Sequence, residues 1–263
     1  MGQHIIEAGG AKATIHTDGG RLASLQIFDQ ELLITDGPKP TRWGSFPMIP
    51  WCGRLANGNL AWNGEIHEFP LTSPPNANHG FTHTSMWDVA KKTDNSIELI
   101  IGLDKPWPFG GVVTQKFKIE DGSLFVEAEI TAQDVSMPVM VGWHPWFKKT
   151  LENGSVADLS FKADAIYELN EDQIPTGKLL SVPDGPWDNC FVGMKQKPVI
   201  AWPGHCELSF DSNLDHWVIY TQPEHGLCVE PQSGQPNQLN TDPRIIGPKE
   251  SFSGSMTLKW AES

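Results

Sequence analysis

The sequence has no long apolar run and few basic residues, and both shortages narrow the possible functions. Its 263 residues include 19 lysines and arginines against 32 aspartates and glutamates, which gives a formal net charge of −13. A surface of this charge repels phosphate backbones and anionic lipids, so we expect neither a nucleic acid nor a membrane surface as partner. No apolar stretch approaches the roughly 20 residues of a membrane-spanning helix.

Cysteine is also scarce, and its pattern indicates a reducing compartment. The four cysteines show no CxxC spacing, and a chain of this length needs no disulfide to stabilise a core. The first residues lack the basic region followed by an apolar one that is typical of a secretory signal, so no signal is expected. We predict a cytoplasmic protein with reduced thiols that is a monomer or a homodimer.

Amphipathic helices are missing from the sequence, and period-two alternation takes their place. Residues 113–119 and 124–130 alternate on either side of Asp121-Gly122, which is typical of a hairpin with a type I′ turn. Strands joined by short turns exclude a doubly wound sheet and a TIM barrel, and the lack of a fixed repeat argues against a propeller. We predict an all-β fold, a large antiparallel sandwich or barrel, with residues 1–263 in a single domain.

Three polar stretches resist assignment as strands and are predicted to be functional loops. They are residues 53–59, 73–85 and 223–240. An apolar run at 138–141 is expected to be a buried strand that leads into a motif with the sequence Gly-Trp-His-Pro-Trp-Phe.

His144 lies between two tryptophans in that motif, and the proline after it restricts its rotation. Histidine releases and takes up a proton near neutral pH, so an acid–base group at the floor of a pocket is one interpretation. A core histidine that is bonded to a backbone carbonyl is the other. Tryptophan faces can stack on sugars, although most of the 11 tryptophans are expected to fill the core.

Two of the predicted loops carry further candidates. Arg54 follows a turn rich in proline and glycine, and it would bind hydroxyls or carboxylates at several points or form a structural ion pair. His79 and His83 are four residues apart, but Gly and Asn around them indicate a loop rather than a helix. Because no clear third ligand follows, we predict no metal and expect His79 to hydrogen-bond a ligand instead.

Two acidic residues lie beside proline or aromatic residues. Glu230 ends an apolar segment and precedes a proline, and burial there would raise its pKa and make it a better base. Asp188 follows a tryptophan in a similar setting. A solvent-facing strand end is the alternative for Glu230, and a turn is the alternative for Asp188.

In their order along the chain, these motifs resemble those of the aldose 1-epimerases (galactose mutarotases). The resemblance runs from about residue 46 to residue 240. It rests on Pro-Trp-Cys-Gly-Arg54, His79-Gly after an Asn-rich loop, the His144 motif, Asp188-Asn-Cys-Phe, and Glu230-Pro-Gln with the prolines and asparagines that follow. It implies a galactose mutarotase-like supersandwich and an isomerase that interconverts the α and β anomers of a free hexose.

The resemblance also implies a role for each of these residues, with no cofactor and no metal. Glu230 takes the proton from the anomeric hydroxyl, and His144 protonates the ring oxygen with help from His79. Arg54 and Asp188 hold other hydroxyls. Because ring opening moves two protons, one base and one acid on opposite sides of the ring suffice.

Three other functions remain open from the sequence. The first is a sugar-binding sandwich without catalysis, in which tryptophans stack on the ligand. The second is a glycoside hydrolase with Asp188 and Glu230 as its paired carboxylates. The third is a mutarotase for hexose 6-phosphates, in which Lys148 and Lys149 bind the phosphate, although such a pair is also typical of a solvated strand edge.

Overall fold

The computed structural model describes residues 2–263, which form 23 strands joined by short turns and loops. The strands are β1 (Gln3–Ala8), β2 (Ala11–His16), β3 (Arg21–Ile27), β4 (Gln30–Glu31), β5 (Ser45–Pro47), β6 (Arg54–Leu55), β7 (Asn59–Trp62), β8 (Glu65–Glu68), β9 (Ala77–Asn78), β10 (Asp88–Lys92), β11 (Ser96–Gly102), β12 (Val112–Glu120), β13 (Ser123–Thr131), β14 (Met137–Val139), β15 (Trp143–Lys148), β16 (Asp158–Leu169), β17 (Pro175–Leu180), β18 (Asp188–Trp202), β19 (Cys206–Ser212), β20 (His216–Tyr220), β21 (Gly226–Gln232), β22 (Arg244–Ile246) and β23 (Ser251–Glu262). The helical segments are α1 (Gln238–Thr241) and the 3₁₀ turns Pro40–Arg42, Ala56–Gly58 and Thr82–Thr84.

Antiparallel pairing joins most of these strands into two connected series. The first series runs β1–β2–β3–β5–β15–β21–β20–β18–β16–β17. The second runs β19–β23–β13–β12–β11–β10. The long strand β18 links them, because residues 188–192 pair with β20 whereas residues 199–202 pair with β19.

Buried side chains from both series pack into a contiguous hydrophobic core. Apart from the exposed edge strand β10, strands of the second series bury alternate residues, as in β12, where Val113, Phe117 and Ile119 point inward. The buried Gln115 joins the two series, since its amide accepts a hydrogen bond from Trp143 Nε1 at 2.8 Å and donates one to a backbone carbonyl. The predicted large antiparallel β-sandwich is therefore confirmed.

The central strands differ from the prediction because they are buried on both faces. All seven residues of β21 are buried, so this strand lies inside the region 223–240 that was predicted to be a loop. His144 lies within β15 rather than after a strand, and Asp188 begins the longest strand instead of occupying a turn. Burial on both faces removes the period-two signal by which such strands are predicted.

The predicted type I′ turn is also wrong in its geometry. Strands β12 and β13 do pair around Asp121-Gly122, but only Gly122 of the two has a positive φ, of 75°. A type I′ turn needs positive φ at both positions. Elsewhere, no helix within residues 2–263 is long and apolar enough to cross a membrane.

Gly80 fixes the loop that carries His79. Its φ is +64°, and a Cβ atom added there would lie 2.1 Å from the carbonyl oxygen of Ile49. His79 itself adopts a left-handed φ of 63°. Because glycine alone allows this approach of two backbones, the His79 side chain has a defined position.

Replacing Gly80 with alanine should lower the free energy of unfolding by at least about 3 kcal/mol, since left-handed strain of about 1–2 kcal/mol adds to the clash. Gly64 is the matched control, because its φ is +82° and no described atom lies within 4 Å of an added Cβ. Gly64→Ala should lose only about 1–2 kcal/mol. Urea titration measures both variants, and equal losses would contradict the close approach.

Candidate active site

The register between β15 and β21 brings His144 and Glu230 together. Trp146 pairs with Cys228. Because the strands are antiparallel, His144, two residues before Trp146, lies opposite Glu230, two residues after Cys228. Opposite residues point to the same face of a sheet. His144 Nε2 and Glu230 Oε1 are 3.3 Å apart, and the two side chains are 8% and 3% exposed.

An aromatic side chain organises three imidazole rings beside this pair. Phe46 lies opposite His144 on β5 and stacks on its ring at 4.8 Å between centroids. His83 and His79 pack on the same phenyl ring at 5.2 and 5.8 Å. The ring of His79 also meets that of His144 edge-on at 5.1 Å.

The two tryptophans of the histidine motif have different surroundings. Trp146 stacks on His144 with ring centroids 5.4 Å apart and an angle of 19°, and it lines the cavity above the pair. Trp143 lies on the other face of β15, where its indole bonds to the core residue Gln115. One tryptophan therefore belongs to the site and the other to the core.

Asparagines after the glutamate motif hold the loop that carries Arg54. Asn237 Oδ1 accepts a hydrogen bond from the amide of Ala56 at 3.1 Å, and Asn240 Oδ1 accepts one from Ala61 at 2.9 Å. Arg54 itself pairs through its backbone with the residue before His79. The asparagines of the motif thus position the loop.

These elements enclose a cavity of about 250 Å³. Asp188 lines it from β18, and Tyr220, its partner on β20, lines it too. All five residues predicted for the site line this cavity, together with His83, Gln232 and a group of basic residues. The five are Arg54, His79, His144, Asp188 and Glu230.

Comparison with known proteins agrees with this arrangement. The sequence matches the family model described as aldose 1-epimerase over residues 3–259. The chain belongs to the aldose 1-epimerase family. It is 28% identical over 272 residues to the uncharacterized protein YihR of Escherichia coli K12, across 90% of this chain and 85% of YihR.

Solved structures show the same fold. A galactose mutarotase-like protein from Clostridium acetobutylicum superposes with a TM-score of 0.88 and 19% identity, over 98% of this chain and 95% of that one. The GalM/aldose epimerase homologue from C. elegans gives 0.85 and 18% identity over 99% of each chain. The galactose mutarotase-like fold expected for this aldose 1-epimerase family member is confirmed.

Burial keeps the imidazoles of this family member uncharged. It lowers the pKa of His144 to about 3, and Arg42 acts in the same direction. It lowers the pKa of His83 to about 4, with Arg21 as the next cause. The pKa of His79 is held well below its ordinary value, again mainly by burial. We expect all three rings to be neutral at pH 7.

The carboxyl groups shift in the opposite direction. Burial raises the pKa of Glu230 well above its ordinary value, Asp188 adds to the rise, and Arg54 opposes it. Burial also raises the pKa of Asp188, against Arg54 and Arg42. Because a buried charge pair is expensive to desolvate, we expect His144 and Glu230 to hold one proton between them as a neutral pair.

Several buried polar atoms of cavity-lining residues have no hydrogen-bond partner within residues 2–263. They include Nδ1 of His79, His83 and His144, and Oε1 of Gln232. A ligand rich in hydroxyl groups offers both donors and acceptors to such atoms. The cavity is therefore suited to a polar ligand.

A possible set of metal ligands overlaps with the proton-transfer pair. Nitrogen of His144, sulfur of Cys228 and a carboxylate oxygen of Glu230 all lie within 4.8 Å of one another. These are atom types that Zn²⁺ binds. These three residues differ from His79 and His83, the pair considered as metal ligands from the sequence.

Several residues that line the cavity were not predicted from the sequence. Gln232 had a usable signal, because it is two residues from Glu230 and so shares its face of β21, whereas Tyr220 had none. Arg42 follows a Pro-Lys-Pro segment that shows no strand alternation to assign it to a face. Lys148 and Lys149, considered for phosphate binding, bond to Glu152 and to the Thr221 carbonyl instead, and neither lines this cavity.

Replacing His83 with glutamine should reduce the acid sensitivity of the fold. The folded-state pKa of His83, about 4, lies below the ordinary 6.5, so the unfolded chain takes up the proton first and stability falls as the pH drops from 6.5 to 4. Between pH 7 and pH 4 the variant should lose about 1–3 kcal/mol less than the wild type. Urea titrations at both pH values measure this, and identical losses would contradict the buried neutral ring.

Proposed function

We propose that this aldose 1-epimerase family member is a mutarotase, which interconverts the α and β anomers of an aldose. The observation that carries the proposal is the buried His144–Glu230 pair at the floor of a cavity of small-molecule size. Such a pair holds one proton acceptor and one proton donor, and anomer exchange requires one of each. Family membership supports the same reaction.

The reaction transfers one proton in each direction between sugar and protein. The proton of the neutral pair first moves from Glu230 to His144. Glu230, now a carboxylate, takes the proton of the anomeric hydroxyl while His144, now an imidazolium, gives a proton to the ring oxygen. The bond between C1 and the ring oxygen breaks, and the free aldehyde rotates about C1–C2. Closure on the other face reverses both transfers, which returns the pair to its starting state with the anomeric centre inverted.

Burial assists the ring-opening step. Proton transfer from Glu230 to His144 converts the resting neutral pair to its charged form, and ring opening returns the pair to the neutral form. Since desolvation favours neutral partners, the environment that lowers the pKa of His144 and raises that of Glu230 drives protons toward the ring-opened intermediate. The neighbouring Arg54 stabilises the carboxylate form and so limits this preference.

The other predicted residues serve the substrate in this proposal. His79, edge-on to His144, reaches the same part of the sugar and is expected to assist protonation of the ring oxygen. Arg54 and Asp188 lie at the cavity wall and are expected to hold hydroxyl groups. Held hydroxyls fix the ring between base and acid, which contributes to rate through orientation.

Removing either proton-transfer group should nearly abolish catalysis. Glu230→Gln and His144→Gln should each lower kcat by about 10²–10⁴-fold, because each loses a general acid or base. Polarimetry of freshly dissolved α-glucose and α-galactose measures this, with EDTA added in a parallel sample to remove any metal contribution. Glu65→Gln, an exposed residue on the β8 hairpin, is the matched control and should retain wild-type rates.

Distinct outcomes would support other functions. Sugar binding without acceleration by the wild type would favour a non-catalytic binding protein. Release of reducing ends from a glycoside would favour a hydrolase. Loss of wild-type activity in EDTA would favour a metal at the His144, Cys228 and Glu230 atoms.

The pH dependence follows from the neutral pair. With the pKa of His144 near 3, a second proton enters the pair only in strong acid, and the raised pKa of Glu230 delays loss of the first. We expect kcat/KM, corrected for the spontaneous reaction, to change by less than about twofold between pH 5 and pH 7. A bell centred near pH 5.5, with limbs at the ordinary values of Glu and His, would contradict the account.

A further inference from the structure

Basic residues converge on one cavity of a strongly acidic protein. The chain has a net charge of −13, yet Lys39, Arg42 and Arg54 all line the cavity. Within residues 2–263, none of the three forms an ion pair. Arg54 and Arg42 both act on the carboxylate of Asp188, because they oppose the rise in its pKa that burial causes. These three basic residues outnumber the two carboxylates that line the cavity, Asp188 and Glu230.

The position of Arg42 is fixed relative to the proton-transfer pair. The carbonyl of Thr41 accepts a hydrogen bond from Trp146 Nε1 at 3.0 Å, which ties this loop to β15. The guanidinium carbon of Arg42 lies 5.6 Å from the Trp146 ring centroid, and the same ring stacks on His144 at 5.4 Å. Trp146 therefore contacts both His144 and Arg42, and Lys39 lies in the same loop as Arg42.

The chemistry of a pyranose indicates which part of the sugar meets this loop. The ring oxygen is bonded to C5, and C5 carries C6. If His144 protonates the ring oxygen, then a group attached to C6 lies on the His144 side of the cavity. Because Arg42 contacts the same Trp146 ring as His144 and lines the same cavity, it is the candidate to bind a charged group at this end of the sugar.

Uncharged hydroxyls do not account for two further cations at this place. Arg42 offers a planar fork that binds an oxyanion through two hydrogen bonds, and Lys39 adds a compact charge. An exposed cation without a partner in an acidic protein raises the local concentration of anionic ligands. The cations thus fit a negatively charged substituent better than a neutral hydroxymethyl group.

We propose that the preferred substrate is an aldose with an anionic group at C6, either a tetrahedral oxyanion attached to C6 or a carboxylate formed by C6 itself, which Arg42 and Lys39 bind. The proposal rests on the proposed mutarotase function. The anion would be bound by Lys39 and Arg42 and not by Lys148 and Lys149, because the latter two do not line the cavity.

The first experiment compares substrates that differ only at C6. Anomer exchange is followed by NMR for glucose and galactose as free sugars, as 6-phosphates, as 6-sulfates and as uronic acids. We expect kcat/KM to be at least about tenfold higher for one anionic class than for the free sugar. Preference for the phosphate alone would identify a dianion, for phosphate and sulfate a tetrahedral oxyanion, and for the uronic acid a carboxylate.

The second experiment tests the residues. In Arg42→Gln and in Lys39→Gln, the ratio of kcat/KM for the anionic sugar to that for the free sugar should fall by at least about fivefold. Lys249→Gln removes one charge from an exposed pair with Asp134 and is the matched control, whose ratio should equal that of the wild type. Raising the salt concentration should lower the wild-type ratio as well.

Different results would overturn the anionic substrate and the mutarotase function. Equal or better turnover of free glucose or galactose, relative to every anionic sugar, would overturn the anionic substrate and leave the mutarotase function intact. Ratios unchanged in both loop variants would overturn the role of Arg42 and Lys39. No acceleration of any of these sugars would overturn the mutarotase function, and the anionic substrate with it.

Discussion

The antiparallel register between β15 and β21 is the constraint on which the rest of the site depends. It places His144 opposite Glu230, with their reactive atoms 3.3 Å apart in the middle of a sheet. A slip of one residue would turn both side chains to the other face. The register is held by the buried strands on either side, so a buried part of the sheet carries the proposed proton transfer.

Burial then determines the electrostatics of the site. Strands that are covered on both faces offer little solvent to a charge, so His144 and Glu230 shift their pKa values in opposite directions and share a proton. Arg42 adds to the fall in the pKa of His144, whereas Arg54 opposes the rise in the pKa of Glu230 without reversing it. The result is a neutral floor beneath a positively charged wall, which suits proton chemistry on a ligand that is polar and, by our inference, negatively charged.

The sequence predicted the fold class and the site more successfully than the individual strands. Strands with one polar face, such as β12, follow period-two alternation, whereas β21 is buried throughout and was assigned to a loop. The site residues were found because proline, glycine and aromatic neighbours mark each one locally. Arg42 also has proline, tryptophan and glycine neighbours, but its place in the site depends on a tertiary contact with Trp146. Long-range packing of this kind leaves no local pattern in a sequence.

The most direct test of the central claim is the protonation state of His144 in the free protein. Nitrogen-15 NMR of histidine-labelled protein, assigned with His144→Gln, distinguishes neutral imidazole from imidazolium. We predict that the His144 imidazole is neutral from pH 5 to pH 8, because burial lowers its pKa to about 3. An imidazolium that loses its proton near the ordinary value of about 6.5 would contradict the neutral His144–Glu230 pair.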